Sequence, residues 1–596
     1  MKKLIFVFCL VFIGTQPTIG QVSTDSKISI ELVNVNSIQA LNQINELANI
    51  KLSYNPDDIR IEQNLNRKYS NDPVNSVLTD LLGNGFEYKY RGSYIIIKKK
   101  VELAEKKVFK FSGEIKDADT GETIQDVTVY EVSKLDATLS DKRGNFEMTV
   151  SSKTEYVTFA ISQENYIDTL IQVKSISELQ EPVKLKRKPD TTFTQKIGIE
   201  TKKLVQFFTS KVSRNNAKNV SLEEVKPFQF SLVPMVGTNG SMSGQITNRF
   251  SINLLAGYSK GTTGLEVGGF YNIDRENVSM VQLAGFGNAV GGNTQGVQLA
   301  GFLNTNKGKT GGLQGAGFVN LVGGETQGAQ LAGFVNYVAD DFKGAQLAGF
   351  VNVAYESKAA QLAGFTNITT KNSSGTQLSG FTNVARNYKG AQISGFLNIG
   401  KNVSGFQGSA FLNISNNLKG AQLGLINIVD SLESGVTIGV INVVKNGLME
   451  GAIETSDFMH ALVSFRSGSN RLYSILSIGG QFKKRKLYSI GFGFGSKFKL
   501  YKKLYSNLEL SSHGLEEDFT FNELNILNRF NLNIGYQFAK HLSITAGPVL
   551  NVYVTRMQNP ETGEYGYDWG QSPMFETNDS GTNITGWLGF SAAIRF

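Results

Sequence analysis

Between residues 264 and 445 one short phrase is written about a dozen times, with GAQLAGFVNVA at 344–354 as a representative copy. Each copy holds about nine residues without charge, and the next begins 15 or 16 residues later. A chain built this way must give the same side chain the same surroundings at every copy. On a strand, successive side chains alternate between faces. Around Gln330 this puts Ala329, Leu331, Gly333, Val335 and Tyr337 on one apolar face. Gln330, Ala332, Phe334 and Asn336 fall on the other. The polar pair recurs as Gln298 with Asn304, Gln346 with Asn352 and Gln392 with Asn398. These eight Gln and Asn residues form a candidate lumen-lining ladder, the one site the sequence nominates.

Two architectures suit the pattern. In a membrane barrel the apolar face meets lipid and the Gln/Asn face lines the interior. In a parallel β-solenoid the apolar face forms the core and identical residues stack coil on coil. The turns favour the barrel, because Lys358, Ser374, Lys389, Ser404, Lys419 and Ser434 alternate before successive copies, as a two-strand unit would require. Alternating strands also flank the repeats, from FQFSLVPMV to the closing GWLGFSAAIRF. That ending, with Leu588, Phe590, Ala592 and Ile594 on one face and Phe596 last, resembles the assembly signal of bacterial outer-membrane proteins. The expected fold is therefore a small α/β domain, a β-sandwich and then a large antiparallel transmembrane β-barrel over 228–596, of about 20 to 22 strands. The alternative is β-solenoid repeats on a smaller barrel.

The N-terminal part is of another kind. MKKLIFVFCLVFIGTQPTIG reads as a signal peptide over 1–20, with the chain's single cysteine, Cys9, inside it. Residues 27–100 alternate strand and helix. ALNQINELANIKLSY and VLTDLLGNGFEYKYRGSYIIIKK resemble the short N-terminal domain shared by secretins and TonB-dependent receptors. The pattern predicts a buried helix face of Ile38, Leu41, Ile44 and Leu47, an N-cap at Asn36 or Ser37, and an Asp72 cap for the second helix. Residues 109–187 switch to period-two alternation with turns at Thr120-Gly121 and Gly144-Asn145, and resemble the transthyretin-like sandwich of carboxypeptidase regulatory-like domains. Residues 188–227 are polar and read as a linker with a short helix near IETKKLVQFFTSKV.

No catalytic, cofactor or metal site is expected. His460, His513 and His541 lack ligand spacing. GFGFGSK at 491–497 alternates along a strand with no helix to follow, unlike a phosphate loop, and GSMSG at 240–244 has Met242 where a nucleophile elbow needs serine. Asp340-Asp341 and Glu516-Glu517-Asp518 suit solvated turns. The formal charge of +8 is modest for 596 residues and gathers into no basic, aromatic-laced patch, so nucleic acid is not an expected partner. The expected partners are outer-membrane lipid and, as the receptor-domain resemblance implies, a periplasmic protein docking on residues 27–187. With about 40 residues between sandwich and barrel there is no room for a plug domain. The expected function is accordingly non-enzymatic docking, signalling or passage of small polar solutes at the outer membrane. The alternative is a surface-displayed solenoid for adhesion or structural interaction.

Overall fold

Near-identical repeats can pair with themselves in register, and here they do. Thr326 lies beside Phe342, Gln330 beside Gln346 and Asn336 beside Asn352, all in parallel ladders. Within each of two stretches, Ile246–Asn306 and Thr310–Val444, successive copies pair in parallel, so they form β-solenoid coils and not the expected closed barrel of 20 to 22 antiparallel strands. Parallel stacking needs each coil to return to its starting side in 15 or 16 residues, and glycine makes that possible. At the glycine corner before Phe350 the coils approach so closely that a Cβ on Gly349 would meet the carbonyl oxygen of Gly333 at 2.1 Å. Gly344 holds φ at +133°, which favours glycine.

The computed structural model describes residues 27–596 apart from 48–50, 92–93, 101–106, 175–176, 180, 190–197, 483–485, 518–522, 559–562 and 568. The signal segment 1–20 and Asp518 lie outside the described residues. The chain divides into two compact units, ending and beginning at Lys309 and Thr310.

In the first unit, helices Ser37–Leu47 and Val74–Leu82 pack against a strand pair, Lys27–Val35 with Leu65–Pro73, and a three-stranded sheet. Asn36 accepts from Gln39 N at 2.8 Å while its own N donates to Gln39 Oε1 at 3.0 Å, a reciprocal capping box. The buried helix face is Ser37, Ala40, Leu41 and Ile44, one step round from the expected one, and Leu47 is exposed. Pro73, not Asp72, is the N-cap of the second helix, and the Asp72 carboxylate instead accepts from Ser70 N. The sandwich closes two four-stranded sheets over Phe109, Phe111, Phe146 and Phe159. Its edge is tied by Asp117, which accepts from Tyr166 Oη at 2.7 Å and Arg187 Nε at 2.8 Å. Those donors hold the Asp117 carboxyl well below the usual carboxylate range.

The expected linker contains helices Lys203–Phe208 and Lys211–Asn219. They cover the first coils: Gln245 Nε2 donates to Ala217 O at 2.6 Å and the Phe208 ring stacks on Tyr271. A solenoid end would otherwise expose open strand edges and core, so such a cap is required. Tyr94 and Ile96 of the α/β part, Tyr130 and Ala160 of the sandwich, and Met242 and Ile246 at the first coil share one core. In this unit the coils run from Ile246 to Asn306.

The second unit opens with coils from Thr310 to Val444 and then changes architecture. From Leu448 the strands turn antiparallel, and the last, Thr582–Arg595, pairs back on the first, Leu448–Ser456, with Ala452 beside Arg595. The strand Phe575–Asp579 pairs only with the last one. The ring itself therefore has eight strands.

Candidate functional site

Each Gln and Asn nominated from the sequence points into the solenoid. Gln298, Asn304, Gln330, Asn336, Gln346, Asn352, Gln392 and Asn398 all have 0% exposure. They fill the coil with hydrogen bonds to each other. Gln346 Nε2 donates to Gln330 Oε1 at 2.8 Å, Gln361 to Gln346 at 2.7 Å, and so on to Gln422 and Gln407. Each Asn uses its amide twice: Asn336 Nδ2 reaches Asn352 Oδ1 at 3.0 Å and Leu347 O at 2.8 Å. Gln298 and Asn304 make the same ladder contacts in the first unit, at 2.8 and 2.9 Å.

The two ladders run in opposite senses. Gln side chains donate toward the N-terminal coils and Asn side chains toward the C-terminal ones. Aligned amide dipoles sum as peptide dipoles do in a helix, leaving partial positive charge at the donating end. At the donating end of the Gln ladder, Gln282 Nε2 meets Glu266 Oε2 at 2.8 Å and Asp274 Oδ2 at 2.6 Å. Both acids are fully buried. Burial first, and then the neighbouring Glu266 charge, push the Asp274 carboxyl well above its ordinary range. Glu266 was legible as the copy whose Gln slot holds an acid, in GLEVGGFYNID. Asp274 had no such signal.

With amides inside, the apolar residues face out, which reverses the core expected for a solenoid. Phe334 leaves the Gln/Asn face because the chain bends at Gly333, and it stands 38% exposed. Phe318, Phe334, Phe350, Phe365, Phe381 and Phe396 stack ring on ring at 4.8–4.9 Å. Beside them run Leu331, Leu347 and Leu362 on one side, and Val335, Val351, Tyr337 and Val353 on the other. From Leu313 to Val443 these columns carry no charge. At one strand spacing per coil the face is roughly 40 Å long, so at a width of about 20 Å it already exceeds the few hundred Å² of contiguous apolar patch a soluble surface usually shows.

The third side is wet. Residues from Asp341 to Glu433 line a groove of about 570 Å³, with an outer ladder in which Asn402 donates to Asn387 at 2.6 Å and Asn417 to Asn402 at 2.7 Å. Lys358, Ser374, Lys389, Ser404, Lys419 and Ser434 form one column here. Their alternation thus has a different cause from a two-strand unit. Like charges stacked on adjacent strands repel, and a serine between them doubles the separation. Lys343 and Lys358 are adjacent, and there Lys343 binds Glu325 at 2.8 Å.

The eight-stranded ring is polar within and apolar without. Ile490, Phe492, Leu508, Leu510, Phe530 and Leu532 point outward. Arg466, Glu509, Arg529 and Arg595 point inward, at most 2% exposed. Arg466 grips Glu509 with both Nε and Nη2, at 2.8 and 3.0 Å, and Tyr473 Oη donates to the same carboxylate at 2.7 Å. Arg595 Nη2 lies 3.1 Å from Glu509, and Arg529 Nη1 lies 2.9 Å from Glu454. The last coil is pinned to one mouth of the ring. Asn442, at the end of the Asn ladder, gives its N to Ser467 Oγ and its Nδ2 to Ser474 Oγ, both at 3.1 Å.

The other nominated residues are dispersed. His513 is wedged between Ser489 and Ser511 inside the ring, and His541 is exposed on a turn. GFGFGSK lies within the strand Lys486–Tyr501, and Met242 is buried in a short 3-10 turn. Among the described residues no group of three or more His, Cys, Asp or Glu side chains is placed to hold a metal. No helix among them is long and apolar enough to cross a membrane, which says nothing of strands. No family model, no curated protein and no solved structure matches the chain.

Proposed function

We propose that the chain is a non-enzymatic interaction scaffold, a β-solenoid anchored in the outer membrane by its small C-terminal barrel. The observation that carries this reading is the charge-free outer face of Leu, Phe and Val columns over the coils of the second unit. Leaving that face in water would cost about 25 cal/mol per Å² of apolar area, so it is built to be covered. The ring supplies the anchor, because apolar residues outside and paired charges inside are the inverse of a water-soluble barrel. Its interior is filled by the Arg466–Glu509–Arg595 network, which argues against passage of solutes.

The solenoid enters the barrel at the end with the shorter connections, 469–472, 502–503 and 540–541. In outer-membrane barrels that end is periplasmic. This favours an interaction face in the periplasm over one displayed on the cell surface, together with the two N-terminal domains. Their resemblance to receptor docking modules supports a periplasmic protein as the partner of residues 27–187.

Single cysteines at Leu347 and Ile393, in a Cys9→Ser background, test the covered face. A maleimide should label both in the purified chain but neither in isolated envelopes, while Lys389→Cys on the wet side is labelled in both. Equal labelling of Leu347→Cys in envelopes and in purified chain would end the scaffold reading.

A further inference from the structure

Among the described residues the two ends of the eight-stranded ring differ in net charge. The short-turn end presents Arg471, Lys499, Lys502, Lys503 and Lys540, all exposed and without an ion-pair partner among the described residues. The acid described there, Glu450, turns inward to Lys497 at 2.5 Å. At the other end the described connections are rich in acid, with Glu523, Glu576 and Asp579 among them. Aromatic and aliphatic side chains are interleaved with the lysines at the short-turn end. Phe498, Leu500 and Tyr501 flank Lys499 and Lys502, and Tyr536, Phe538 and Leu542 flank Lys540, all exposed. Lys502 Nζ sits 5.2 Å from the Tyr501 ring centre. Beside Lys540 a cavity of about 310 Å³ is lined by Lys445, Glu450, Lys497, Lys540, Arg595 and Phe596, and of its cations Lys445, Lys497 and Arg595 already face Asp430, Glu450 and Glu509.

We propose that this rim binds the anionic headgroup layer of a phospholipid leaflet, with a lipid phosphate entering the cavity beside Lys540. The proposal rests on the membrane-anchor reading. Aromatic rings settle at the boundary between hydrocarbon and headgroups, and unpaired lysines one residue further out reach the phosphates. An uncharged or cationic surface would leave five cations without counter-charge, and a protein partner has no reason to demand a lipid-like succession of apolar, aromatic and basic levels. Each lysine close to an anionic surface strengthens binding by roughly fivefold at low salt.

The test offers the purified full chain an equal mixture of two vesicles. One is pure phosphatidylcholine and the other contains about one-fifth phosphatidylglycerol, and carbonate-resistant protein is measured in each. Wild type should favour the phosphatidylglycerol vesicles by tenfold or more, and salt of about 0.5 M should erase most of the preference. The variant Lys499→Gln, Lys502→Gln, Lys503→Gln, Lys540→Gln should insert equally into both. A control at the far end, Glu523→Gln with Glu576→Gln, should keep the wild-type preference. Wild type inserting without preference, or the four-lysine variant retaining it, would overturn the proposal. Failure of wild type to resist carbonate in either vesicle would instead sink the membrane anchor, and this proposal with it.

Discussion

Glu266 stands in the slot that Gln282 fills one coil later, and Gln282 donates to it at 2.8 Å while also donating to Asp274. The amide ladder thus ends on a pair of buried acids rather than on water. Asp274 has its carboxyl raised in the folded chain. Its contribution is therefore complete below the unfolded value near 4 and is lost as pH rises through the folded one. We expect the first unit to lose stability as pH climbs from about 4 toward neutrality. Asp274→Asn keeps an acceptor for Ser259 and removes the charge, so it should stabilise the unit by something on the order of 1 kcal/mol at pH 8 and by little at pH 4. Urea unfolding at the two pH values checks this, and a variant less stable at pH 8 would refute it.

Within the second unit the ladders should outweigh the surface. Gln361→Leu strands Gln346 Oε1 and removes the acceptor of Gln377, with an expected loss of about 1–3 kcal/mol. Leu347→Ala, on the outer face, should cost under about 1 kcal/mol in detergent. Equal costs would mean that the amides do not carry the coil.

Asn402 and Asn417 are register partners on adjacent parallel strands. Parallel neighbours lie about 4.8 Å apart, within disulfide reach. Asn402→Cys with Asn417→Cys, in a Cys9→Ser background, should therefore oxidise to an intrachain bridge, visible as a gel shift reversed by reductant. Single cysteines at Asn387, Asn402, Asn417 and Ser431 should label from the same side, since all four share one column. Labelling from alternate sides would restore an up-and-down barrel.

Inside the ring, Glu509→Gln leaves Arg466 and Arg595 without their shared carboxylate. Breaking a buried pair from one side costs about 3–5 kcal/mol, so the barrel should unfold at markedly lower denaturant. Replacing Glu509 together with Arg466 by Leu and Met should recover part of that loss.

What the sequence made legible was spacing. The period, the stacked identities and the closing aromatic strand are all visible in the letters, and so is the slot that Glu266 occupies. What it hid was the side each face turns to. Leu331 and Gln330 alternate identically whether the amides face a lumen, a core or water. Gln inside a coil is acceptable only because the next coil brings another Gln at hydrogen-bond distance, which is a property of the pairing and not of one strand. The lysine–serine alternation misled for the same reason: it reflects repulsion between stacked neighbours, and neighbours are known only once strand direction is. Asp274 and Arg466 owe their roles to residues 8 and 43 positions away, beyond any local motif.

The in-register coils of the second unit also make it a ruler. Because the coils between Thr326 and Ile414 repeat the same Gln, Phe and Asn contacts, a copy could be removed there and the flanking copies would still meet matching partners. Each such step would shorten the stack by one ring spacing, 4.8 Å. Its reach is thus graduated in the gene, one 15- or 16-residue mark at a time.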